Sequence, residues 1–286
     1  MEKFRIFIQL TRLNRPIGFL LLFWPCAWGL TLAYYFSGET NLYLRYILLF
    51  FLGSVLMRSA GCIFNDIVDR DLDKKVQRTR ERPIASGKIS VSEAFIYIAF
   101  LCLISLLILF QFNSLTIMLG IISLPLAFAY PFMKRITYWP QLFLGLTFNW
   151  GVIMGWTSIT NSISIEPIIL YLSAIFWTLG YDTIYGLQDM HDDEIIGIKS
   201  TSIKFKNNVK VFVGTCYSLC ILCILILGFI MEINKYILLL SAFFIISLIY
   251  QIKIFKPNDP KSCHFSFKVN NLTGLLVFLF IFSFNF

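Results

Sequence analysis

The sequence predicts an all-α polytopic membrane protein, a bundle of nine transmembrane helices around a central cavity. Three observations carry that expectation. Of the 286 residues, 58% are hydrophobic and only 14% charged, whereas soluble domains are about 25% charged. Mean hydropathy is +0.76, which excludes a disordered chain, a coiled coil and an ordinary water-soluble enzyme. Nine apolar windows have the roughly 20-residue length that crosses a bilayer. They leave no room for a large soluble unit, so residues 1–286 read as a single transmembrane domain.

The windows fall at residues 17–36, 44–64, 92–112, 115–133, 139–159, 167–187, 209–231, 236–255 and 269–286. The first follows an amphipathic basic segment and runs on too far for a signal-peptide core, so it reads as a retained helix. The third and fourth nearly fuse through Gln111–Ser114, and merging them would leave eight spans. Charge decides between the two counts. With nine spans and a cytoplasmic N-terminus, 21 of the 24 Lys and Arg lie on the cytoplasmic side; Arg45, Lys235 and the intramembrane Arg58 are the rest. Basic loops face the cytoplasm in membrane proteins, so nine is preferred, with the protein in a bacterial inner membrane. The net charge of +8 then belongs to loops facing anionic lipid rather than to a nucleic-acid site. Six of the seven cysteines sit in apolar runs and Cys263 in a polar connection. Buried thiols behave as small hydrophobes, and neither a disulfide framework nor a zinc site is expected.

The acidic residues that need explaining lie at two span ends. After the second span comes Asn65-Asp66-Ile67-Val68-Asp69-Arg70-Asp71-Leu72-Asp73. Asn65, Asp69 and Asp73 recur every fourth residue and share one helical face, with Asp66 three before Asp69. Like charges at that spacing repel, and a shared divalent cation would reverse the sign. At the end of the sixth span, Tyr181, Tyr185, Asp189 and Asp193 repeat the spacing, and Asp182 is the deepest acid. Oxygen-only donors fit Mg²⁺, which often shares its shell with substrate phosphates. Between the acids in sequence lies a basic run from Lys74 to Lys88, in which Arg80 and Arg82 precede a Pro/Gly turn. Arginine forks suit a diphosphate.

The pattern Asn65-Asp66-x-x-Asp69-x-x-x-Asp73, with Arg82-Pro83-x-x-Ser86-Gly87 after it, resembles the first signature of the UbiA superfamily of intramembrane prenyltransferases. Tyr181-x-x-x-Tyr185-x-x-x-Asp189-x-x-x-Asp193 is similar to its second, with Tyr185 where many members carry Lys. The strings Arg12–Gly18, Met57–Cys62, Tyr130–Arg135 and Asp192–Thr201 resemble the branch that prenylates 4-hydroxybenzoate in ubiquinone synthesis. The resemblance implies Mg²⁺-dependent transfer of a polyprenyl group from polyprenyl diphosphate to the ring of an aromatic acid. Asn65, Asp66, Asp69, Asp73, Asp189 and Asp193 are then the expected metal ligands. Arg70, Arg80, Arg82 and Lys199 are expected around the diphosphate, with Tyr185 in place of one contact. Arg12 and Arg135 are the expected partners of an acceptor carboxylate. Arg58 would meet an aspartate or the substrate, since it cannot stay uncompensated in hydrocarbon. Trp24, Trp150, Trp156, Phe148 and Tyr130 are candidates for an aromatic wall around the allylic cation.

Two other readings use the same residues. A relative acting on haem or a naphthoate would keep the aspartates and change the acceptor pocket. An ion transporter would also need acids, but transporter sites lie near the bilayer midplane on broken helices, and here the acids gather at one face. Neither the oligomeric state nor the prenyl length is encoded in these motifs.

Overall fold

The computed structural model describes residues 2–286, and every regular element among them is helical. The first half contains α1 (Glu2–Thr11), α2 (Ile17–Ser37), α3 (Thr40–Val68), α4 (Arg70–Asp73), α5 (Val91–Leu109), α6 (Ser114–Ile136), α7 (Pro140–Phe148) and α8 (Gly151–Thr160). The second contains α9 (Ile165–Gly186), α10 (Met190–Ile196), α11 (Thr201–Lys204), α12 (Val209–Ile230), α13 (Lys235–Leu239), α14 (Ser241–Ile254) and α15 (Pro260–Phe282). Pairing α7 with α8 and α13 with α14 gives nine membrane-length spans among the described residues.

The chain reverses between α5 and α6 as the nine-span count requires. Asn113 caps α6, its side chain accepting the Thr116 N–H, and its amide donates to the Thr157 and Ser158 carbonyls of α8. The ninth span differs from expectation. It starts at Pro260 rather than 269, with Asp259 accepting the Lys261 N–H as its cap. Its first half is polar and reads as a loop on hydropathy, yet those polar groups face protein rather than lipid. Ser266 and Asn270 are buried, and Asn270 accepts from Trp177 Nε1 at 2.8 Å. In a bilayer such groups must be satisfied internally, and the neighbouring helices do this. Cys263, expected in a connection, is buried on that helix, and all seven cysteines are free thiols.

The core forms where α2, α8, α9, α12, α14 and α15 meet, around Trp28, Trp177, Tyr181, Tyr217 and Phe280. Without a hydrophobic drive between helices in lipid, close backbone approach holds spans together. Gly29 and Gly155 bring α2 and α8 into backbone contact. A Cβ on Gly155 would strike the Cys26 carbonyl and the Leu30 amide, whereas a Cβ on Gly53 in α3 would meet nothing within 4 Å. Outward-facing Phe, Leu and Ile side chains on α5, α12 and α14 present the apolar surface that lipid requires.

This packing predicts opposite signs for two alanine substitutions, read by thermal unfolding in detergent. Gly155→Ala should cost about 1–3 kcal/mol, as overpacking does. Gly53→Ala should be neutral or stabilise by about 0.5–1 kcal/mol, the ordinary helix gain.

Candidate active site

One end of the bundle opens into a cavity of about 180 Å³. It is walled by the ends of α3, α6 and α9, the start of α7, and the segments after α3 and α9. Its lining includes five carboxylates (Asp69, Asp73, Asp182, Asp189 and Asp193) and four cations (Arg78, Arg82, Lys134 and Lys199), together with Asn65, Tyr130 and Gln141. The two acidic stretches therefore face a common space.

Neither stretch is one straight helix. The first breaks at Asp69, which ends α3 and starts α4, although its N–H still bonds the Asn65 carbonyl and Asp73 N–H bonds the Asp69 carbonyl. The four-residue spacing survives the break, and Asn65 Nδ2 donates to Asp69 at 2.9 Å. The second breaks after Gly186: a tight turn through Leu187–Asp189 leads into α10, where Asp193 N–H bonds the Asp189 carbonyl. Gly197, at φ +80°, ends α10 in the left-handed conformation that glycine adopts without strain. From there Ile198 N–H returns to the Asp193 carbonyl, and Lys199 N–H reaches the Lys134 carbonyl at 2.8 Å. That bond ties the second acidic segment to the end of α6.

Each acid except Asp182 and Asp193 already has a cation. Lys134 donates to Asp69, with Arg135 at 3.6 Å from its other oxygen. Arg78 grips Asp189 with a two-pronged fork, Nε to Oδ1 at 2.6 Å and Nη2 to Oδ2. Arg82 Nη1 bridges Asp73 at 2.8 Å and Asp66 at 3.0 Å. Asp69 Oδ1 is buried without a hydrogen-bond partner. Burial raises the Asp73 carboxyl above its ordinary range against the pull of Arg82. Burial, then the neighbouring Asp189 charge, pushes Asp193 up to about 6.

The structure places several of the expected residues away from the cavity. Asp66, expected among the metal ligands, is buried between Arg12 (2.5 Å) and Arg82 and does not line the cavity. Both arginines meet its Oδ1, while its Oδ2 is buried without a hydrogen-bond partner, and the pairing pins the segment after α1 to α3 and to the basic loop. Arg12, expected to hold an acceptor carboxylate, is that pin. Arg135 donates to the Val68 carbonyl at 2.7 Å instead of facing the cavity. Arg70 and Arg80 are exposed beside Asp71 and Glu81, away from the cavity. Tyr185 packs on Phe267 and lies 5.9 Å below the Arg78 guanidinium. Arg58 lies over the Phe148 ring at 5.1 Å, with Nε buried and unpartnered. Of the expected site residues, Asn65, Asp69, Asp73, Arg82, Asp189, Asp193 and Lys199 are brought together. Among the expected aromatic wall residues, Tyr130 lines the cavity; Trp24 and Trp150 are spent on hydrogen bonds to Asn271 and the Leu119 carbonyl.

Sequence reasoning missed Arg78 and Lys134. Arg78 stands four residues before Arg82, a spacing that puts both on one side of a helical turn and Arg80 on the other. Loop bonds from Arg80 N–H to the Val76 carbonyl and from Arg82 N–H to the Thr79 carbonyl supply that turn. Lys134 carried no signal beyond its place at a span end.

Among the described residues, no three His, Cys, Asp or Glu side chains are gathered into a formed metal cluster. The donors nevertheless fit Mg²⁺: Asn65, Asp69, Asp73, Asp189 and Asp193 offer oxygen, and one Asp69 oxygen is buried and unfilled.

The UbiA prenyltransferase family profile matches residues 22–281. The 4-hydroxybenzoate octaprenyltransferase of Aliivibrio fischeri (strain MJ11) is 41% identical over 285 residues, covering 98% of this chain and 96% of that protein. The apo structure of a UbiA homolog from Aeropyrum pernix K1 superposes with TM-score 0.76 at 22% identity, covering 92% of this chain and 97% of that one. A UbiA homolog from Archaeoglobus fulgidus bound to DMAPP and Mg²⁺ gives TM-score 0.69 at 19% identity, covering 96% and 99%. The chain belongs to the UbiA prenyltransferase family.

Proposed function

We propose that this integral membrane protein transfers a polyprenyl group from polyprenyl diphosphate to the ring of 4-hydroxybenzoate, with Mg²⁺, at the cytoplasmic face of a bacterial inner membrane. The observation that carries the reaction class is the meeting of two acid-bearing helix ends in one cavity, interleaved with cations. The acceptor rests on similarity across nearly the whole chain to an enzyme named for 4-hydroxybenzoate.

Asn65, Asp69, Asp73, Asp189 and Asp193 would hold Mg²⁺. Bound there, the metal would neutralise charge on the departing diphosphate. Lys134 and Arg78, which pair with Asp69 and Asp189 here, would be available to the phosphates if those carboxylates held the metal. Arg82 keeps its grip on Asp66 and remains a fixed donor at the cavity wall. Lys199, held by the Ile136 carbonyl at 3.1 Å, adds positive charge beside Lys134. The chain would thus exchange internal ion pairs at Asp69 and Asp189 for substrate contacts, which keeps these two carboxylates compensated. The isoprenoid tail leaves between helices into lipid and needs no protein cavity of its own.

Three outcomes test this reading with purified protein in lipid, a radiolabelled polyprenyl diphosphate and separate aromatic acceptors. Asp69→Asn and Asp193→Asn should each lower turnover by about 100-fold or more, as removal of one electrostatic group from a transition state does; wild-type turnover in both would reject the ligand set. Arg82→Gln and Arg78→Gln should raise KM for the diphosphate strongly while Arg80→Gln leaves it unchanged; equal effects would contradict the cavity assignment. Protonating Asp193 removes a metal ligand, so Mg²⁺ affinity is present above its raised pKa and lost below it. The Mg²⁺ concentration for half-maximal rate should climb about tenfold per unit as pH falls below about 6, and should be flat between pH 7 and 8. Product from another acceptor, with none from 4-hydroxybenzoate, would replace the acceptor and keep the chemistry.

A further inference from the structure

Asp182 and Arg58 are left unused by the diphosphate chemistry, and both are charged groups within membrane-spanning helices. Asp182 lies on α9 four residues before its end at Gly186, and Arg58 precedes Asn65 by seven on α3. Arg58 is thus about two helical turns, roughly 10 Å, below Asn65, and Asp182 lies one turn inside the end of α9. Asp182 lines the cavity and, among the described residues, makes no hydrogen bond and no ion pair within 4.0 Å. Arg58 is the charged side chain that acts on it, yet the two do not close on each other. Arg58 is held from its other sides: its Nε is buried without a partner, Phe148 lies beneath the guanidinium, and a Cβ on Gly18 would come within 2.9 Å of Nε. Carboxylates and guanidinium groups inside a span are costly and mark function by default. An open carboxylate in the cavity wall beside Tyr130, with a cation over the Phe148 ring behind it, supplies the charge and aromatic faces that a flat aromatic acid needs. Arg12 and Arg135 are engaged elsewhere, which leaves Arg58 for the acceptor's carboxylate.

We propose that Asp182 is the catalytic base that removes the ring proton of the acceptor while Arg58 holds the acceptor's carboxylate. The proposal rests on the prenyl-transfer reading above. The allylic C–O bond of the polyprenyl diphosphate breaks with its electron pair remaining on the diphosphate. A π pair of the ring carbon beside the phenol forms the new C–C bond. The C–H pair at that carbon returns to the ring as its proton passes to the Asp182 carboxylate, which later releases it to cavity water. Aromaticity is restored, and diphosphate and prenylated acid are the products. General-base groups contribute about 10²–10⁴-fold.

The test uses full-length protein in lipid, 4-hydroxybenzoate with and without deuterium at both ring positions beside the hydroxyl, and a prenyl diphosphate carrying ¹⁸O at the bridging position. Asp182→Asn should lower kcat by about 100-fold or more with KM for the diphosphate unchanged. It should also create a primary isotope effect from ring deuterium that the wild type lacks, and it should keep scrambling ¹⁸O, because ionisation persists while proton removal is slow. Arg58→Gln should instead raise KM for 4-hydroxybenzoate. Near-wild-type kcat in Asp182→Asn would assign the proton to the departing diphosphate and overturn the proposal. Loss of ¹⁸O scrambling would overturn it too, placing Asp182 in the ionisation step. Recovery of turnover in the Asp182→Asn/Arg58→Gln double variant would reduce the aspartate to a counter-charge for Arg58. Wild-type protein giving no prenylated 4-hydroxybenzoate would overturn the functional reading itself, an outcome distinct from failure of Asp182→Asn alone.

Discussion

Charge compensation at the membrane surface is the constraint from which the rest of this molecule follows. Five carboxylates crowd into one cavity at the end of a nine-span bundle, where desolvation makes each uncompensated charge expensive. The fold answers with cations from sequence-distant places: Lys134 from α6, Arg78 and Arg82 from the loop after α4, Arg12 from beyond α1. These pairs fold the loop over the cavity and fix the helix ends against one another. They are pairs between separate elements, carried by side chains at helix ends and in the loop rather than by the packed core.

Asp66 and Asp69 illustrate the division of labour within a single motif. Three residues apart on a shared helix end, they have different fates. Asp66 is enclosed by two arginines and ties α1, α3 and the loop together, a structural arrangement whose removal of one partner would strand a buried charge. Asp69 faces the cavity with one oxygen open. A motif with one spacing thus places one acid between arginines and another in the cavity wall. The same sorting applies to the basic loop, where Arg78 and Arg82 turn inward and Arg80 turns to solvent.

The spans were legible from sequence because lipid imposes length and hydropathy directly, and eight of nine windows match the helices to within a few residues. The ninth was read short because the polar start of α15 is satisfied by protein, a fact that depends on Trp177 and other residues far away in sequence. The acid spacing pointed to the carboxylates that line the cavity since i, i+4 geometry is local. Which arginine faces which aspartate was not legible, because Arg12–Asp66 and Arg78–Asp189 join residues 54 and 111 positions apart. Periodicity carries no information about pairs at that separation.

The central claim is that the aspartates of α3–α4 and of α9–α10 serve one ion site. It is tested most directly by a double-mutant cycle on Mn²⁺ binding, read by electron paramagnetic resonance in lipid with a non-hydrolysable prenyl diphosphate analogue present. Asp69→Asn and Asp193→Asn should each weaken binding, and the double variant should fall well short of the summed losses, as residues of a single network do. Strictly additive losses would mean that the two helix ends bind metal independently, and the shared site described here would not exist.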